Sequence, residues 1–183
     1  AHVTTVLFND QYKMLYNRRE LKDVRKMTDK DYTPGGMTAL LDAVGRTIHK
    51  MDMVSGIHRK DKGNKVLFVI ITDGEENDSR EYTYADVKKL IKDRQENAGW
   101  EFIFLGANID AAAAAENLGI DRDRAVKYKN TGSGVRANFK AVAELSDSLA
   151  KSGRVSDEWK ETVEKDEDDA ADKQSAAVTL HRR

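Results

Sequence analysis

Residues 66–74 read Val-Leu-Phe-Val-Ile-Ile-Thr-Asp-Gly, and this stretch decides the fold of the chain. Its first six residues form an unbroken apolar run rich in β-branched side chains, which is typical of a strand buried on both faces. The Asp-Gly pair at the end is a turn signal that stops the strand. A strand of this kind needs helices on both sides of its sheet, so the stretch predicts a parallel α/β sheet.

The segments around this stretch alternate between helix and strand. Apolar residues recur at helical spacing from Thr38 to about Ile57 and again from Tyr84 to about Gly99. Trp100 to Leu105 is a second buried strand, closed by Gly106. This alternation predicts a three-layer α/β fold around a doubly wound, mostly parallel sheet, with residues 66–71 and 100–105 as its buried strands.

The two ends of this core have weaker signals. His2 to Phe8 reads as a strand and Tyr12 to Leu15 as a short antiparallel partner after a tight Asn-Asp turn. Asp110 is a candidate N-cap for an alanine-rich helix, and residues 125–128 are a candidate last strand. A closing helix is predicted from an apolar stripe formed by Val135, Phe139, Val142, Leu145 and Leu149.

Beyond Lys160 the composition shifts to Glu, Asp, Lys and Ala, with few large apolar residues. Residues 1–150 are predicted to form one α/β domain, and residues 151–183 a polar extension that is helical or disordered. The acidic run Asp166 to Asp169 is interpreted as solvated surface. The first residues read as the inside of a strand, so the gene product is expected to begin earlier.

Charge and residue usage exclude several classes of function. The net charge is -1, from 31 basic and 32 acidic residues, which argues against a nucleic-acid or membrane partner. Without cysteine there is no disulfide framework and no thiolate metal site, and a cytoplasmic location is expected. The four histidines are scattered, and His49 and His58 are interpreted as solvated positions rather than ligands or bases.

Two loops carry residues suited to metal binding. Gly35-Gly36-Met37-Thr38 delivers a hydroxyl at a helix start, and Thr72-Asp73-Gly74 places a carboxylate at a strand tip. Hydroxyl and carboxylate oxygens are hard ligands that suit Mg²⁺ or Mn²⁺. Thr38 could instead be only an N-cap, and Asp73 could merely open a turn.

Together these loops resemble those of the von Willebrand factor A-type (vWA) domains, especially bacterial members. Thr38 matches the threonine of the family's Gly-Gly-x-Thr loop, and Asp73 matches the aspartate of its Thr-Asp-Gly strand end. The resemblance covers about residues 1–150. It implies a Rossmann-like sheet and a protein-binding module rather than an enzyme. Its Mg²⁺ or Mn²⁺ ion would be held by Thr38 and Asp73 and completed by an acidic residue of a protein partner.

The sequence departs from the family in one respect. The family's Asp-x-Ser-x-Ser segment, which follows its first and central strand, does not occur in this chain. The resemblance therefore implies a domain without its central strand and with an incomplete metal site, and such a sheet is expected to fold poorly alone. The tail segment Ala176 to Leu180 is a conceivable substitute strand.

Two other functions are compatible with these residues. The first is Mg²⁺-dependent phosphoryl transfer with Asp73, Glu75 and Glu76 as ion-binding carboxylates, which a phosphatase assay with Mg²⁺ would detect. Residues 131–134, Thr-Gly-Ser-Gly, could hold an anion at a helix start, but are expected to be a flexible connection. The second is a purely structural module whose metal site is vestigial.

Overall fold

A computed structural model describes residues 1–28, 30, 31, 35–55 and 65–164. These residues fall into two compact units. The first unit is drawn from residues 1–58 and 75–90, and the second from residues 59–74 and 91–183. The strands are β1 (His2–Phe8), β2 (Tyr12–Glu20), β3 (Leu67–Thr72), β4 (Glu101–Gly106) and β5 (Ala125–Lys127), and the longer helices are α1 (Leu40–Ser55), α2 (Tyr84–Ala98), α3 (Ala111–Asn117) and α4 (Gly132–Ser152).

The first unit contains a hairpin and the helix α1. Strands β1 and β2 pair antiparallel, from His2 opposite Glu20 to Phe8 opposite Tyr12. The predicted hairpin is confirmed, but β2 extends five residues beyond the predicted end at Leu15, since it runs to Glu20. The sequence hides this extension because residues 17–20 are polar and exposed and carry no apolar alternation.

The second unit contains a three-stranded parallel sheet in the order β3-β4-β5. Leu67 pairs with Glu101 and Thr72 with Gly106, so β3 and β4 are in register along their whole length. Both predicted strands are confirmed, and the mixed α/β class with them. From Phe102 onward β4 is fully buried, whereas most of β3 is only half-buried and its other edge has no strand partner among the described residues.

Capping residues mark the helix boundaries in the second unit. Asp110 caps α3 by accepting a hydrogen bond from the Ala113 amide at 3.0 Å, as predicted. Gly153, with a φ of 75°, ends α4 in the left-handed conformation that glycine tolerates best. The expected flexible connection at residues 131–134 is wrong, because Gly132 begins α4 and Thr131 caps it through the Gly134 amide.

The apolar stripe of α4 is displaced from its predicted position. Leu145 and Leu149 are buried, but Val135 and Phe139 are 38% and 55% exposed. Gly134, Asn138 and Ala141 occupy the buried face at the start of the helix. Periodicity finds the apolar side chains of a helix, but it does not show that small and amide side chains pack closer to the sheet.

Asn138 is an exception to the apolar character of the second unit's core. The residue is 1% exposed, and neither its side-chain nitrogen nor its oxygen has a hydrogen-bond partner among the described residues. A buried amide without a partner costs about 1–3 kcal/mol.

We expect Asn138→Leu to raise the free energy of unfolding by about 1 kcal/mol in urea titrations. A decrease in that free energy would contradict an unpaired carboxamide, and Asn138→Asp should lower it by burying a charge.

Several predictions lie outside the described residues. They concern the end of α1 near Ile57, the residue His58, the acidic run Asp166 to Asp169 and the tail segment Ala176 to Leu180. The polar extension is described only up to Glu164, where residues 159–164 are helical. Trp159 and Val163 in that helix are buried in the same apolar cluster as Leu145.

Candidate functional site

Asp73 directly follows β3 at the carboxyl end of the parallel sheet. Its side chain is exposed, and its Oδ2 accepts a hydrogen bond of 3.0 Å from the side-chain amide of Asn130. The preceding Thr72 forms a tight turn, since its hydroxyl donates to the Gly74 carbonyl at 2.9 Å. One carboxylate oxygen is therefore oriented by the protein, and the other has no hydrogen-bond partner among the described residues.

Asn130 is a site residue that the sequence analysis missed. It follows β5, two strands away from β3 in the same sheet. Loops that leave the carboxyl ends of parallel strands gather at one edge, and this rule could have identified it. Its position before Thr131 and the start of α4 also indicates a loop at that edge.

Thr38 lies before α1 in the first unit. Thr38 is not the N-cap that the alternative interpretation allowed, because the helix begins at Leu40 and the Ala39 carbonyl accepts its first bond, from Ala43. Thr38 is held through its backbone, which donates to the side chain of Asn77 at 2.7 Å and accepts from the Asn77 amide at 3.0 Å. Its hydroxyl has no hydrogen-bond partner among the described residues.

The loop of residues 75–83 supplies the missing caps of α1. Leu41 donates its amide to a carboxylate oxygen of Glu76 at 3.0 Å, and Asp42 donates its amide to the hydroxyl of Ser79 at 3.1 Å. The other oxygen of Glu76 accepts the amides of Asp78 and Ser79. Glu76 is thus an anion at a helix N-terminus, where the helix dipole favours it. In the phosphoryl-transfer hypothesis this carboxylate would instead bind an ion.

Asp42 holds the same loop from the side of the helix. Its carboxylate accepts three backbone amides, from Arg80 at 3.0 Å and from Glu81 and Tyr82 at 2.9 Å each. Only 6% of the residue is exposed. Burial by itself would raise the pKa of Asp42, but the three amide bonds outweigh it and leave the pKa below its usual value.

Two side-chain pairs extend this connection along α1. The guanidinium of Arg46 donates two hydrogen bonds to the carboxylate of Glu81, at 2.8 and 2.6 Å, and these bonds lower the pKa of Glu81. His49 lies on the exposed face of α1, as expected, and its Nδ1 is 2.8 Å from the hydroxyl of Tyr82. The loop of residues 75–83 is therefore fixed to α1 by backbone and side-chain contacts from Leu41 to His49, more than two turns of the helix.

Thr38 belongs to the first unit and Asp73 to the second. Each presents an oxygen that the described residues leave available to a metal ion. Across residues 1–28, 30, 31, 35–55 and 65–164, no three histidine, aspartate or glutamate side chains are grouped so that they could hold an ion. Neither Thr38 nor Asp73 therefore belongs to a ready-made group of three such ligands within the described residues.

Comparison with known proteins identifies no relative. No protein-family model, curated protein or solved structure matches the chain. In the part of the chain that the structure describes, no helix is both long and apolar enough to cross a lipid bilayer.

Proposed function

We propose that this chain is a vWA-like protein-binding module that uses a divalent ion, Mg²⁺ or Mn²⁺. Asp73 and Thr38 supply oxygen ligands, and an acidic residue of a protein partner completes the coordination. The position of Asp73 supports the proposal most directly, because an exposed carboxylate at a strand tip is oriented by the amide of Asn130. Such outer hydrogen bonds commonly fix a carboxylate for metal binding.

The finer fold assignment belongs to the same proposal. The sheet β3-β4-β5 is the part of a doubly wound, Rossmann-like vWA sheet that lies to one side of a missing central strand. The half-buried side chains of β3 and its edge, which has no strand partner among the described residues, support this assignment. Because the sequence has no Asp-x-Ser-x-Ser segment, the ion site within residues 1–183 is incomplete and its affinity should be low.

Binding of Mn²⁺ alone tests the proposal without knowledge of the partner. Mn²⁺ is paramagnetic and broadens the amide resonances of residues close to it. We expect selective broadening at Asp73, Thr38 and Asn130 in a titration of the labelled chain. Asp73→Ala should weaken binding at least tenfold, since it removes the only carboxylate among these ligands.

The matched control is Asp121→Ala. Asp121 is also an exposed loop aspartate of the second unit, and its side chain makes no capping hydrogen bond. This variant should bind Mn²⁺ like the unmodified chain. Broadening that survives Asp73→Ala, or that is equally strong at Asp121, would show that Mn²⁺ only associates with acidic surface.

A further inference from the structure

A cavity of about 320 Å³ lies within the first unit. It is bounded by the turn of the β1-β2 hairpin, the first half of α1 and the loop of residues 75–83. This volume is at the lower end of the range for small-molecule and side-chain sites. The cavity does not include Thr38, and all of its lining residues belong to the first unit.

The cavity wall combines an apolar part with a charged part. Phe8, Tyr12, Ala39 and Ala43 contribute the apolar part. The charged part has four carboxylates and two guanidinium groups, which gives a formal charge of -2. These residues are Asp10, Asp42, Asp78, Glu81, Arg46 and Arg80.

Asp10 is the carboxylate in this wall that has no partner among the described residues. Glu81 is bonded to Arg46, and Asp78 forms an ion pair of 3.1 Å with Arg80. The carboxylate of Asp42 accepts three backbone amides. Asp10 is exposed and has neither an ion pair nor a hydrogen bond to a described residue. A concave wall with excess negative charge concentrates cations.

We propose that this cavity receives an arginine side chain from a protein partner, with Asp10 as its ion-pairing group. An arginine has an apolar stem and a charged head, and the wall offers an apolar part for the stem and a free carboxylate for the head. A guanidinium can also bind a carboxylate through two parallel hydrogen bonds. A metal ion fits less well, because a single free carboxylate provides few of the oxygen ligands it needs.

This contact goes beyond the proposed metal-dependent function and does not depend on it. The arginine contact should persist in EDTA, whereas Mn²⁺ broadening at Asp73 should disappear. A failure of one proposal therefore leaves the other intact.

The probe is Nα-acetyl-arginine methylamide, titrated into the isotope-labelled chain at low salt, where surface charge is least screened. We expect saturable shifts of the backbone amides of Gln11 and Ala43, which line the cavity. The matched control ligand is Nα-acetyl-citrulline methylamide, which has the same shape and no charge. It should bind at least about threefold more weakly, the size of one partly exposed ion pair.

Protein variants test whether the carboxylate of Asp10 binds the arginine probe. Asp10→Asn should weaken binding of the arginine probe about three- to fivefold, and Asp10→Glu should restore most of it. Asp23→Asn removes an equal charge from an exposed turn and should change the affinity little. Equal binding of the two probes, equal effects of Asp10→Asn and Asp23→Asn, or shifts confined to other residues would each overturn the proposal.

Discussion

Replacing Asp42 by asparagine is expected to lower the free energy of unfolding by about 2–4 kcal/mol. Asp42 is 6% exposed, and its carboxylate accepts three backbone amides of the loop that packs on α1. Asparagine has a similar shape, but its side-chain NH₂ group would replace one accepting oxygen and would face a backbone N–H donor of the loop. Urea unfolding of the full chain, followed by circular dichroism, measures the loss.

Asp147→Asn is the matched control for this experiment. Asp147 lies on α4, is 61% exposed and forms an ion pair with Lys151 one helical turn away. Exposed pairs of this kind contribute little, so its substitution should change the free energy of unfolding by less than about 0.5 kcal/mol. If the two variants unfolded alike, the three amide bonds of Asp42 would not stabilise the loop.

The effect of Asp42 should also depend on pH in one direction. Its pKa in the folded chain is lower than the value of about 3.9 in an unfolded chain. The stabilisation is therefore complete above about pH 5 and is lost as pH falls through the folded pKa. The difference between the unmodified chain and Asp42→Asn should be constant between pH 5 and pH 8 and should shrink below about pH 4.

The strands β3 and β4 could be predicted because each is a local pattern. The apolar runs at residues 66–71 and 100–105 needed only their own residues to be identified, and both became strands of one parallel sheet. How deeply each is buried depends on its neighbours. The strand β4 has a partner on either side and is almost entirely buried, while β3 pairs only with β4 in the described residues and is half-buried.

The contacts around Thr38 could not be predicted in the same way. The sequence indicated a helix start, but the groups that cap it, Glu76 and Ser79, are 35 and 37 residues away along the chain. A side chain that caps a distant helix has no local signature, because the capping rules refer to residues within the same turn. The position of Asn130 beside Asp73 could have been predicted, because the loops that follow parallel strands lie at one edge of the sheet.

Gly134→Ala is expected to lower the free energy of unfolding by about 2–3 kcal/mol or more. Gly134 is buried in the first turn of α4, and a Cβ at this position would overlap the carbonyl oxygen of Lys129. This carbonyl is part of the backbone, so it cannot rotate aside as a flexible side chain can. The substitution must therefore shift either the start of α4 or the strand end before it, which includes the loop that positions Asn130 beside Asp73.

Gly132→Ala separates this packing cost from the general effect of alanine in a helix. Gly132 lies two residues earlier in the same helix and is exposed, and a Cβ there would meet only the end of the Arg136 side chain, at 3.4 Å. Because alanine favours helix over glycine by up to about 1 kcal/mol, this variant should be as stable as the unmodified chain or more stable. Thermal and urea unfolding of the two variants give the comparison. If both alanines raised the stability, Gly134 would not be in close contact with Lys129, and the tight connection from β5 to α4 would be wrong.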